Sequence, residues 1–92
     1  MTMRLGYIGG AFERRVARRI LVGGRNYRIC YETANGVLAL MVVRFVRMKI
    51  VEWEKIPDGL CDGLWLFLFN GYRGYEMAID WDSIRTIEEI ED

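Results

Sequence analysis

Leu64-Trp65-Leu66-Phe67-Leu68-Phe69-Asn70 decides the fold. Six large apolar side chains follow one another without a charge, so neither face of an extended strand built from them can rest against water. The rest of the chain reads as cover for this strand. Past a short turn at residues 70–74, residues 75–81 put Tyr75, Met77, Ile79 and Trp81 on one face and Glu76, Ala78 and Asp80 on the other, the period of a half-buried strand. Trp81-Asp82-Ser83 then predicts a single tight turn into a last strand over residues 84–90, with Glu88, Glu89, Glu91 and Asp92 as an acidic, solvated end.

Upstream the signals are also those of an antiparallel sheet. Residues 27–33 alternate Tyr27, Ile29, Tyr31 and Thr33 against Arg28, Cys30 and Glu32, and Asn35-Gly36 follows as a hairpin signal of type I′, whose central residues need positive φ. The chain turns back at Val37. From there to Trp53 the run is too long for one straight strand, and its apolar parity breaks between Arg44 and Arg47, which predicts a bulge or sharp bend separating two strands. Residues 54–63, with Pro57, Asp58-Gly59 and Asp62-Gly63, read as a loop. Residues 1–8 read as an edge strand or a frayed end.

Gly9-Gly10 and Gly23-Gly24 bracket a helix over residues 11–22. At 100° steps Phe12, Val16, Ala17, Ile20 and Leu21 share one half of the wheel, and Arg14, Arg15, Arg18 and Arg19 share the other. Phe12, Val16 and Ile20 are therefore expected to cover the second face of residues 64–70. Only Glu13 relieves the repulsion among the four arginines locally, so an anion is expected against them: the acidic half of the same chain, nucleic-acid phosphate, or a protein or membrane surface.

The formal net charge of zero hides an asymmetry. Residues 1–50 carry ten basic and two acidic side chains, whereas residues 51–92 carry three basic and eleven acidic ones. If the fold keeps the halves apart, one face attracts polyanions; if strands of the two halves alternate in a sheet, the charges cancel internally. Basic onto acidic faces would also allow head-to-tail association into a ring.

Other function classes are disfavoured. The chain contains no histidine, which removes the usual general base and metal ligand, and Cys30 and Cys61 stand far apart as expected free thiols. Asp80 and Asp82 flank a turn, where carboxylates more often cap backbone than catalyse, and Ser83 has no base. No enzyme, catalytic residue, cofactor or metal site is expected. The lack of an eighteen-residue apolar run or an apolar leader points to a cytoplasmic protein without a membrane segment. All 92 residues are read as one mainly β (α+β) domain, an N-terminal amphipathic helix followed by a small, strongly bent antiparallel barrel of five or six strands over residues 26–90.

One helix, short strands, two tight hairpins and a one-turn link before the last strand resemble small barrels of the Src-homology and Sm type. Tyr31, Asn35-Gly36, Arg44, Leu64-Trp65-Leu66-Phe67, Arg73 and Ile79-Asp80-Trp81-Asp82-Ser83-Ile84 also look like the WYL domain, whose namesake tripeptide would fall at Trp65-Leu66-Phe67. That resemblance implies a nucleic-acid or nucleotide ligand at Arg44 and Arg73, and the Sm likeness implies an RNA-binding ring.

The leading expectation is thus a small nucleic-acid-binding barrel, its partner DNA or RNA. Arg14, Arg15, Arg18, Arg19, Arg25, Arg28, Arg44 and Arg47 would contact phosphates, joined by Arg73 on the resemblance, and Tyr27, Tyr31 or Tyr72 would stack on bases. The alternative is a non-enzymatic protein-interaction or inhibitor module, including a head-to-tail homo-oligomer.

Overall fold

The computed structural model describes residues 4–51 and 64–90. Trp53, the loop with Pro57 and Cys61, residues 1–3, and Glu91 and Asp92 of the acidic end lie outside the described residues. The elements are β1 (Arg4–Tyr7), α1 (Ala11–Ile20), β2 (Asn26–Glu32), β3 (Leu38–Val51), β4 (Leu64–Asn70), β5 (Glu76–Asp80) and β6 (Ile84–Ile90). One-turn helices at Tyr72–Gly74 and Trp81–Ser83 link β4 to β5 and β5 to β6. Among the described residues every pairing is antiparallel, in the order β1-β6-β2-β3-β4-β5, and β1 and β5 end the sheet without pairing with each other. The fold is mainly β with one helix, and residues 4–7 are an edge strand.

The expected break in residues 37–53 is a bulge rather than a gap. β3 runs unbroken, pairing with β2 from Leu38 to Arg44 and with β4 from Arg44 to Val51, and its register shifts between Phe45 and Arg47. Val46 is the extra residue, and it restores the alternation that the sequence breaks there. The hairpin at Asn35-Gly36 also differs in detail. Gly36 N donates to Thr33 O, Thr33 N donates to Val37 O, and of the two residues only Gly36 has positive φ. This is a type I turn closed by a left-handed glycine, in place of the expected I′ turn.

One face of the sheet carries the core. Tyr27 and Ile29 of β2, Val43 and Phe45 of β3, Phe67 and Phe69 of β4, and Ile84 and Ile87 of β6 are buried together with Ile8, Ala17 and Trp81. Phe67 stacks on Trp81 at 6.2 Å between ring centroids, nearly parallel, and lies 4.8 Å from Phe45. Trp81 belongs to the one-turn link, so this stack ties the end of β5 to the middle of β4.

The helix docks on the same face, turned from its expected orientation. Ala17 is fully buried and Leu21 packs on the core, whereas Phe12 is 68% exposed and Val16 is also exposed. Phe12 and Val16 therefore do not cover the second face of β4, and Ile20 is only half-buried. On that second face Leu68 is buried, in register between Arg47 and Ala78, and Leu64 and Leu66 are half-buried.

Candidate functional site

The reason for the turn of α1 lies in Arg14 and Arg18. Arg14 Nη1 donates to Trp81 O at 2.6 Å, and its Nη2 donates to Ile84 O at 3.0 Å and to Asp82 O at 3.3 Å. Carbonyls around a one-turn helix have few intrahelical partners, and a guanidinium fork satisfies several at once. Arg18 lies with its guanidinium carbon 4.0 Å above the centre of the Trp65 ring, a cation–π contact. Its pKa is held below the ordinary arginine value, first by burial and then by repulsion from Arg15 and Arg19, with Asp82 acting in the opposite direction. Arg14, Ala17 and Arg18 thus form the inward row of α1, at the spacing of one helical face, and Leu21, the residue just past the helix, continues it into the core.

The outward row is Phe12, Arg15, Val16 and Arg19, which together line a shallow open groove. Arg15 and Arg19 are exposed and make no hydrogen bond or ion pair among the described residues. Two aliphatic or aromatic side chains framed by two cations are what the expected all-arginine face becomes.

The remaining expected contact residues are scattered. Arg25 pairs with Glu89 at 3.8 Å, Arg28 with Glu88 at 3.8 Å and Arg47 with Glu76 at 3.5 Å. The strand order explains these pairs: β6 inserts between β1 and β2, and β5 follows β4, so acidic strands from the second half lie among basic strands from the first. Arg44 Nε donates to Asn26 Oδ1 at 3.4 Å. Arg28, Arg44 and Arg47 stand on the sheet face opposite α1, by the alternation that sends Tyr27, Val43 and Phe45 into the core. The fold therefore does not gather the basic residues into one surface with Arg15 and Arg19. Lys49, absent from the expected set, is exposed on that opposite face and has no partner among the described residues.

Of the tyrosines, Tyr27 is 0% exposed and cannot stack on a base. Its hydroxyl accepts from Val22 N at 3.0 Å, and burial raises its pKa. Tyr31 is half-buried against the core. Tyr72 is exposed, with the Arg73 guanidinium carbon 5.2 Å from its ring centre. Arg73 itself adopts φ 60°, a left-handed conformation that a side chain disfavours. Tyr7 and Tyr75 are also exposed, and alternation alone did not reveal this because both stand at strand ends.

Among the described residues no group of three or more acidic or cysteine side chains is placed to hold a metal ion, and no helix is long and apolar enough to cross a membrane. Cys30 is a free thiol on β2. Comparison with protein-family models, with curated proteins and with solved structures finds no match.

Proposed function

We propose that this chain is a non-enzymatic protein-interaction module of the small bent-barrel type, docking an acidic, amphipathic segment of a partner on the outward row of α1. One observation carries the reading: Phe12 and Val16 are exposed on a folded helix and are framed by Arg15 and Arg19, which have no counter-charge among the described residues. An apolar anchor with a charged rim is the anatomy of a protein interface. The register shift of β3 at its bulge and the Trp81–Ser83 link support the small-barrel architecture.

A magnitude moves this reading ahead of nucleic acid. Eight phosphate-bound arginines on a single strand would give a log–log salt slope of about −5.6, whereas two give about −1.4 and correspondingly weak binding. Arg14 and Arg18 are engaged inside the fold, Arg25, Arg28 and Arg47 face glutamates, and Arg44 donates to Asn26 on the opposite sheet face, which leaves Arg15 and Arg19 as the smaller footprint. Nucleic acid stays the second reading because Phe12 stands beside Arg15 and Arg19, the pairing of an aromatic platform with cations that single strands favour.

A photo-reactive phenylalanine analogue at position 12 tests both. The expected adduct joins this chain to a protein segment with net negative charge. An adduct sensitive to nuclease transfers the function to the second reading, and an adduct only within the chain itself contradicts both.

A further inference from the structure

We propose that residues 38–43 of β3 pair with the same residues of a second copy of this chain, antiparallel about a two-fold axis. Among the described residues this half of β3 has a strand neighbour on one side only, since β2 pairs with Leu38 to Arg44 and β4 begins at Arg44. The direction of its free backbone groups follows from three bonds. Val37 O accepts from Thr33 N, Phe45 N donates to Arg25 O, and Phe45 O accepts from Gly24 N. Odd-numbered residues of this half therefore face β2, and the N–H and C=O groups of Leu38, Leu40 and Val42 face the open side.

The side chains of these same residues are 62%, 73% and 60% exposed. They stand on the face away from the core, so the unpaired backbone and the unpartnered apolar side chains coincide. Open edges in folded proteins are normally guarded by charge, proline or a bulge. The β5 edge is so marked, by Glu76 and Asp80. Residues 37–43, Val-Leu-Ala-Leu-Met-Val-Val, have no such guard.

Self-complementarity selects a second copy as the occupant. With Leu40 opposite Leu40, Leu38 falls opposite Val42 on both sides of the axis, and all opposed pairs are aliphatic with no like charges facing. Three residues from each copy then exchange N–H···O bonds in the register that the free groups require. Beyond the run the open side is closed, since Arg44 pairs with Asn70 of β4, so the pairing ends with Val43 opposite Val37. A foreign strand would find no charge here to fix its choice or register. This two-fold pairing also differs from the head-to-tail ring, whose charge drive is spent on ion pairs within the fold.

The test is sedimentation combined with residue-resolved amide exchange, from about 5 to about 500 µM protein, a range over which mass action shifts a weak dimer. The expected result is a mass rising from 10.8 kDa toward twice that value. In the same range exchange at Leu38, Leu40 and Val42 slows by about tenfold or more, while Ala39, Met41 and Val43 stay protected throughout. Leu40→Lys, at an exposed side chain, stays folded and monomeric. A monomer at every concentration overturns the proposal, as does a dimer whose Leu38, Leu40 and Val42 amides exchange freely, or one that persists in folded Leu40→Lys. If Leu40→Lys unfolds, the wild-type amide pattern decides by itself.

Discussion

The outward row of α1 and the inward row continued by Leu21 each carry two arginines and two apolar residues, yet the fold satisfies only one of them. On the inward row Arg14 closes three carbonyls, Arg18 covers an indole, and Ala17 and Leu21 enter the core. On the outward row two similar cations and the apolar Phe12 and Val16 meet solvent. A buried or ring-stacked guanidinium is structural, and an unpartnered one beside an exposed phenylalanine is available. Composition cannot tell them apart; the carbonyls and the ring that receive the inward pair do.

Substitutions along the two rows should therefore separate widely in stability. The largest loss is expected for Ala17→Glu, which forces a charge among fully buried apolar groups and costs about 4 kcal/mol, read as a large fall in the urea midpoint. Arg14→Met keeps the stem, removes the bonds to Trp81, Asp82 and Ile84 carbonyls, and should cost about 2 kcal/mol. Equal stability to wild type would show that water replaces the fork without penalty.

Alkaline pH probes the anchor just beyond the helix. Tyr27 is neutral below about pH 10 in both states, and its folded pKa is raised, so the unfolded chain ionises first. Stability should be unaffected by this group below about pH 10 and then fall by about 1.4 kcal/mol per pH unit until the folded pKa is reached. Tyr27→Phe should abolish that part of the slope. Arg18→Gln should cost about 1 kcal/mol and shift the emission of the indole it covers. Smallest of all, Arg15→Ser or Arg19→Ser should change stability by less than about 0.5 kcal/mol, since both side chains stand in solvent.

Much of this sheet was legible in the sequence because period-two patterns are local. The six apolar residues of β4, the alternation in β2, the bulge at the parity break and the link at Trp81-Asp82-Ser83 all occupy the places that their patterns indicate, whereas β5 forms a strand whose Met77 and Ala78 are both exposed because it stands at the edge of the sheet. Tyr27 was misassigned: the alternation with Ile29 and Tyr31 groups it with one face of β2 but does not say that this face is the core, so it was read as a base-stacking residue although it is fully buried. The orientation of α1 was not legible, because the groups that accept Arg14 lie 67 to 70 residues away in sequence. A helical wheel scores arginine as polar and cannot register distant carbonyls. The charge asymmetry left two outcomes open for a related reason: strand order decides which charges meet, and the insertion of β6 beside β2, which pairs them internally, is a long-range event.

The most direct measurement takes the photo-reactive residue at position 12 into an Arg15→Glu/Arg19→Glu background, with the urea midpoint read on the same sample. The account predicts an unchanged midpoint, within about 0.5 kcal/mol of stability, and loss of the adduct to the acidic partner segment. An adduct that survives charge reversal at an unchanged midpoint would contradict the assignment of the outward row as the docking surface.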